Sequence, residues 1–161
     1  MRRIFSILAM VSLVVMTGCE GIDCTLNNIV SLNVGFYSSS DGLTYAEPDT
    51  LTVTAEGTDS VLCNRSRGRS SITLPVSYWQ EADTLNFNFY NSEESHRITL
   101  RIRKTNKLHY ESPDCPTTMF HTIQGIESIG GQGYIDSVVV VNPNINYASY
   151  ENIRIYFHLP D

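Results

Sequence analysis

The stretch that decides the fold reads Leu85-Asn86-Phe87-Asn88-Phe89, followed nine residues later by Ile98-Thr99-Leu100-Arg101-Ile102. In both segments apolar side chains occupy every second position and polar side chains occupy the positions between them. This period of two is typical of a β-strand with one face buried and the other in water. Residues 91–95 between the segments are turn-forming, so the stretch predicts two strands joined by a turn.

The same alternation recurs on both sides of this stretch. Apolar and polar residues alternate through residues 30–36, 51–55, 72–78 and 153–159. Each of these segments predicts a half-buried strand. Pro75 cannot donate a backbone hydrogen bond, so its strand is expected at a sheet edge or a bulge. The unbroken apolar run 138–141 predicts instead a strand that is covered on both faces.

These segments together predict an all-β chain. About eight to ten short strands at nearly regular spacing, with turn residues between them, are typical of an antiparallel β-sandwich of the immunoglobulin-like kind. A small closed β-barrel is the alternative architecture. No segment shows a helical period of apolar residues.

The N-terminus has the pattern of a signal peptide. Arg2 and Arg3 precede an apolar run over residues 4–16, whose 13 residues are too few to span a bilayer as a helix. Thr17-Gly18-Cys19 resembles the lipobox at which bacterial signal peptidase II cleaves. We therefore expect residues 1–18 to be removed and Cys19 to carry lipid. The alternative is an ordinary secreted protein in which Cys19 follows Gly18 by chance.

The predicted mature chain consists of two parts and carries a marked acidic charge. Residues 19–28 form a lipidated tether, and residues 29–161 form a single β-sandwich domain. Without Arg2 and Arg3, nine basic residues stand against 17 acidic ones. Such an excess of acidic side chains disfavours nucleic acid as a partner.

Three cysteines remain once Cys19 is lipidated. In an oxidising compartment, Cys24, Cys63 and Cys115 predict one disulfide and one spare thiol. Cys24 lies just before the first predicted strand and Cys115 in a proline-rich loop, which favours a disulfide between these two. Pairing that involves Cys63 stays open.

Several of these features together resemble small uncharacterised lipoproteins of the Bacteroidota. The features are Cys19 and Cys24 in an acidic tether, Phe36-Tyr37, Leu74-Pro75, Cys115 and Ile153-Arg154-Ile155-Tyr156-Phe157. The resemblance implies a single domain of unknown function on the outer membrane. Since the tether contains only Glu20 and Asp23 as acidic residues, the periplasmic side is expected rather than the cell surface.

Four short sequences resemble the Asp-Ser/Thr-apolar acceptor pattern of protein O-glycosylation in the same phylum. Their hydroxyl residues are Thr50, Ser60, Thr84 and Ser137. The alternative interpretation is that each aspartate turns the chain and the following residues begin a strand. At least one modified site is our prediction.

Two groups of basic residues stand out in this acidic chain. Arg65, Arg67 and Arg69 alternate with small residues, so in an extended loop their guanidinium groups would point to one side and could bind an anion. The second group is predicted on the polar face of one strand and comprises Arg97, Arg101, Arg103, Lys104 and Lys107. Basic side chains also protect sheet edges from pairing, which is the alternative role of both groups.

The sequence gives no indication of catalysis. It has no nucleophile elbow, no His-Glu-x-x-His and no phosphate-binding glycine loop, and its four histidines lack the spacing of a metal site. We therefore predict a non-enzyme without cofactor or metal, which binds another envelope protein, or has a structural role, through the faces or an edge of the sandwich. A glycan-binding module of the outer membrane is the alternative, since Tyr78 and Trp79 could stack on sugar rings.

Overall fold

The computed structural model describes residue 24 and residues 30–47, 49–113 and 115–158. Cys19, the predicted signal peptide and most of the predicted tether lie outside this part of the chain. The described residues form ten strands and no helix, and therefore no helix among them could cross a membrane. The strands are β1 (Ser31–Ser38), β2 (Thr50–Ala55), β3 (Val61–Ser66), β4 (Ser71–Pro75), β5 (Ala82–Tyr90), β6 (Ser95–His109), β7 (Thr118–Gly130), β8 (Ile135–Val140), β9 (Asn144–Ile145) and β10 (Ile153–Phe157).

The strands are arranged in two sheets that enclose one hydrophobic core. Four strands form a sheet in the order β4-β1-β10-β8, and six form a curled sheet in the order β3-β2-β5-β6-β7-β9. All neighbours are antiparallel except β1 and β10. Phe36 and Phe157 of the smaller sheet pack on Phe89 of the larger one, with ring centroids 6.5 and 5.5 Å apart. The predicted antiparallel β-sandwich is thus confirmed, and the described strands do not close into the alternative barrel.

The hairpin of β5 and β6 is the centre of the larger sheet, as its alternation predicts. Leu85 lies opposite Leu100 and Phe87 opposite Ile98, and all four side chains are buried. Asn91 closes the turn between the strands, because its side-chain oxygen accepts hydrogen bonds from the backbone N–H groups of Glu93 and Glu94 at 2.8 and 2.9 Å. The pair of strands therefore presents one continuous apolar face to the core.

Two expectations about strand position have different outcomes. Pro75 ends β4, which is an edge strand of the smaller sheet, so that prediction is confirmed. The prediction for residues 138–141 is wrong, because β8 is also an edge strand and Val139 is exposed. Alternate valines point to opposite faces of the strand, and only Val138 and Val140 pack against the core.

Several loops meet at one end of the sandwich, which we call the tether end. It comprises loops 56–60, 76–81 and 110–117 together with the start of β1. The strand register places them there. In the larger sheet, Ala55 of β2 lies opposite Leu85 of β5, and Ala82 of β5 lies opposite Arg103 of β6. In the smaller sheet, β1 begins with Ser31 opposite Pro75. The N-terminal segment therefore enters the fold at this end.

Candidate binding surfaces

The β8 edge, residues 135–141, is the least protected rim of the two sheets. Natural sheets guard their edges with proline, lysine or arginine, with bulges, or by making the edge strand very short. Among the described strands β4 carries Pro75, β3 carries Arg65 and shifts register twice against β2, and β9 has two residues. The half of β8 that runs from Ser137 to Val140 has regular pairing with β10 and no charged side chain.

The backbone of this edge is open on one side. The Val141 N–H donates to the Asn152 carbonyl of the neighbouring segment at 2.9 Å. In an antiparallel pair, alternate residues point their N–H and C=O groups away from the neighbour. Those of Val138 and Val140 therefore face outward, and no described strand pairs with them. The side chain of Val139, which is 43% exposed, adds an apolar contact beside them.

A second open edge lies on β7, which precedes β8 along the chain but belongs to the larger sheet. β9 pairs with β7 only at His121 and Thr122, so residues 124–130 of β7 continue past it without a further strand among those described. Gly130 and Gly131 then turn the chain into β8 with φ of 88° and 70°. A Cβ atom on Gly130 would lie 2.6 Å from the Arg97 carbonyl oxygen, so only glycine fits there. These two glycines thus form the turn between β7 and β8.

A buried lysine organises the tether end. Residues of even number in β6 face the core, which places Lys104 in line with Leu100 and Ile102. Its assignment to the exposed basic group is therefore wrong, whereas Arg97, Arg101 and Arg103 are exposed as predicted. Lys104 Nζ lies 3.4 Å from Asp83 Oδ2 and donates hydrogen bonds to backbone carbonyl groups of loop 76–81. Burial lowers the pKa of Lys104, and the Asp83 carboxylate partly opposes this shift.

Asn106 and His121 extend the contacts of Lys104. The Asn106 amide donates to the Trp79 and Gln80 carbonyls at 3.1 and 3.0 Å, which fixes its orientation. Its oxygen therefore faces Lys104 Nζ at 3.2 Å and His121 Nδ1 at 2.8 Å. Since this oxygen can only accept, His121 carries its proton on Nδ1. Burial and the nearby lysine lower the pKa of His121 to about 4, so the ring is neutral at physiological pH.

The loop held by these contacts carries exposed aromatic side chains. Trp79 is 73% exposed, and its ring meets that of Tyr78 at 73° with centroids 4.8 Å apart. The Tyr78 hydroxyl donates to the Thr117 carbonyl at 3.2 Å, which joins this loop to loop 110–117. Tyr110, at the start of the latter loop, is 62% exposed. The tether end thus presents aromatic side chains on a backbone that is fixed from within.

A disulfide joins the N-terminal segment to the same end. Cys24 and Cys115 are bonded, with Cα atoms 5.6 Å apart, which confirms the favoured pairing. Cys63, in β3, is the free thiol among the described cysteines. A cleft of about 400 Å³ lies close by, and Val30, Tyr78 and His121 are among its lining residues.

Of the predicted anion-binding residues, Arg65 lies near the end of β3, and Arg67 and Arg69 lie in the link between β3 and β4. All three are exposed, but the segment is not extended as the prediction requires, because Arg65 and Gly68 have φ of 49° and 65°. Arg67 lines a cavity with Asp49, whereas Arg69 lines a different one with Ser71. The chain turn thus separates these two arginines, and anion binding stays a prediction.

The predicted glycosylation residues differ in accessibility: Thr50, Ser60, Thr84 and Ser137. Ser60 is exposed, and the other three are half-buried. The aspartate before Thr84 is Asp83, whose carboxylate is buried beside Lys104 and accepts a hydrogen bond from the Ser77 N–H. That aspartate therefore has a structural role. Modification of any of the four stays a prediction.

A second buried polar group lies at the opposite end, and no sequence pattern predicts it. The Glu47 carboxylate accepts hydrogen bonds from the Asp49 N–H at 2.8 Å and the Tyr134 hydroxyl at 2.9 Å. Its other oxygen is buried without a partner among the described residues. Burial, together with the charge of Asp49, raises the pKa of Glu47. The His96 ring stacks on Tyr134, with centroids 4.1 Å apart.

Residues 50–157 match the model of a protein family of unknown function, DUF6452. The matched segment extends from the start of β2 to the end of β10, so it includes the β8 edge and the Lys104 contacts. No curated protein and no solved structure matches the chain.

Proposed function

The chain belongs to DUF6452, a family of unknown function, and we propose that it is a lipid-anchored, non-catalytic protein of the cell envelope. In this proposal Cys19 holds it on the periplasmic side of the outer membrane, and the sandwich binds another envelope protein. The partner contributes an extended segment that pairs with the β8 edge.

The observation that carries the proposal is the regular, uncharged half of β8 with outward backbone groups at Val138 and Val140. Strand addition supplies affinity through main-chain hydrogen bonds and specificity through alternate side chains. Because the edge strands β3, β4 and β9 carry protective features, the absence of such features on this half of β8 favours it as a site for pairing.

The glycan-binding alternative has weaker support at Trp79. A sugar platform needs ring faces that lie in one plane, and the Tyr78 and Trp79 rings are inclined by 73°. The side-chain amide of Asn106, which contacts this loop, already donates to two backbone carbonyl groups. Protein binding at β8 therefore agrees better with the geometry.

The test uses a photoreactive residue at Asp136, an exposed position of β8, in cells of the native host. We expect one discrete crosslinked protein, and we expect the substitution Val139→Lys to abolish the product by placing a charge in the new strand pair. Val61→Lys is the matched control, because Val61 is 53% exposed on the protected edge strand β3. Loss of the product in both variants, or in neither, would contradict strand addition at β8.

Lipid anchoring is tested separately by mass. The protein extracted from envelopes should have the mass of residues 19–161 plus acyl chains, and Cys19→Ser should release it from the membrane fraction. A further mass increment that is lost in Ser60→Ala would locate a glycan at the exposed acceptor. A membrane-bound Cys19→Ser variant would contradict the anchor.

A further inference from the structure

We propose that the tether end rests on the phospholipid surface and that Trp79 inserts into the interfacial region of the bilayer. This inference rests on the proposed lipidation of Cys19. It gives the exposed aromatic residues a role that strand pairing at β8 leaves unassigned.

The disulfide sets how far this end can be from the membrane. Cys19 precedes Cys24 by five positions, which span at most about 18 Å when fully extended. Cys24 is bonded to Cys115 in loop 110–117, so that loop is held at this distance from the lipid. Val30, the next residue that the structure describes, follows Cys19 by eleven positions, which span at most about 39 Å. The disulfide therefore halves the maximum chain length between the lipid and the fold.

The side chains presented at this end suit a bilayer interface. Trp79 and Tyr110 are the most exposed aromatic residues of loops 76–81 and 110–117. Tryptophan and tyrosine concentrate where membrane meets water, because they combine an apolar ring with a polar group. At the opposite end, the large exposed apolar residues include Leu43 and Ile129, which have no such polar group.

The loop that carries Trp79 is already held in its binding conformation. The carbonyl of Trp79 accepts a hydrogen bond from Asn106, and that of Gln80 accepts hydrogen bonds from Asn106 and from buried Lys104. A loop that is ordered beforehand loses less conformational entropy on binding. Glu81 and Glu111 are exposed in the same two loops, so contact depends on aromatic partition, and uncharged phosphatidylcholine should suffice.

The test exploits the fact that Trp79 is the single tryptophan of the chain. Lipidated protein is incorporated into phosphatidylcholine vesicles that contain lipids brominated near the headgroup. We expect a blue shift of Trp79 emission and loss of emission to the bromines. The matched control carries Trp79→Phe and Leu43→Trp, which moves the fluorophore to the opposite end, and its emission should stay at the solvent wavelength without quenching.

The outcomes separate this inference from the anchor on which it rests. If the protein floats with the vesicles but Trp79 emission is neither shifted nor quenched, contact of the tether end is refuted while the anchor stands. If the protein does not float and its mass lacks acyl chains, the anchor itself is refuted. A Cys24→Ser/Cys115→Ser variant has a longer chain between Cys19 and the fold. It should float normally, with weaker quenching of Trp79. Equal quenching in this variant would overturn the role given to the disulfide.

Discussion

Lys104 and Asp83 form a buried ion pair between neighbouring strands, with Nζ and Oδ2 3.4 Å apart. Asp83 follows the first residue of β5, and Lys104 lies in β6 just past the point where β5 begins. The lysine also binds carbonyl groups of Ser77 and Gln80, so one buried charge joins two strands and a loop. A buried charge is tolerated only when it has such partners.

The first prediction concerns removal of this charge. Lys104→Met should lower the free energy of unfolding by about 3–5 kcal/mol, because it leaves the Asp83 carboxylate buried and unpaired. Chemical denaturation of the purified domain measures the loss. Adding Asp83→Asn to Lys104→Met should recover part of it, since the second substitution removes the stranded charge.

Lys107→Met is the matched control for this prediction. Lys107 lies in the same strand three residues later and is exposed. Its replacement should change the free energy of unfolding by less than about 0.5 kcal/mol, as surface substitutions do. Equal losses in Lys104→Met and Lys107→Met would show that the buried ion pair is not what holds this end together.

The second prediction concerns acid pH at His121. In the folded chain its pKa is lowered from 6.5 to about 4 by burial, with Lys104 as the second cause. The unfolded chain therefore binds a proton at a pH where the folded chain does not. Stability from this group is complete above pH 6.5 and is lost between pH 6.5 and 4, by about 3 kcal/mol in total.

Unfolding free energies measured across this pH range check the effect. His121→Gln cannot titrate, so its stability should fall less steeply than that of the native chain between pH 6.5 and 4. His158→Gln, at an exposed position, should keep the native slope. A native slope in His121→Gln would mean that another group causes the acid sensitivity.

The alternation of apolar residues was sufficient to predict most of the sandwich but not β3, β7 or β9. Burial of one face imposes a period of two on β1, β5 and β10, and the sequence shows it. In β7 the inward face carries His121 between Met119 and Ile123. This polar side chain interrupts the apolar pattern, so the strand could not be recognised. His121 faces inward because Asn106 on the neighbouring strand receives its N–H.

The candidate surfaces depend on pairings that a sequence does not display. Ser77 and Lys104 are 27 positions apart, and only the strand register brings the carbonyl of one to the ammonium group of the other. The valine run of β8 reads the same in a buried strand and at an edge, since the difference is whether a further strand pairs beside it. The Cys24 and Cys115 pairing was predictable because both were expected outside the strands.

The third prediction concerns Glu47. Its effect on stability changes with pH in the opposite direction to that of His121. Burial raises the pKa of Glu47 above its ordinary value of 4.5, so the folded chain keeps a proton that the unfolded chain has already released. Stability therefore falls as pH rises from 4.5 through the raised pKa. Glu47→Gln removes this titration, and its unfolding free energy relative to the native chain should improve over that interval.

Glu93→Gln is the control for Glu47→Gln, because Glu93 is exposed in the turn after β5. The difference between this variant and the native chain should be constant with pH. If the difference for Glu47→Gln is also constant, the carboxylate is not protonated in the folded chain, and the partnerless oxygen must be satisfied in another way.

The fourth prediction concerns the disulfide, which closes a loop of 91 positions. Cys24→Ser/Cys115→Ser should lower the free energy of unfolding by about 2–5 kcal/mol, because the crosslink restricts the unfolded chain. The loss should appear in urea denaturation without change in the β-sheet circular dichroism spectrum, since neither cysteine belongs to a strand. The native chain with reductant should show the same loss, whereas the double variant should be insensitive to reductant. Cys63→Ser retains the disulfide, so a loss of similar size in that variant would contradict the assignment.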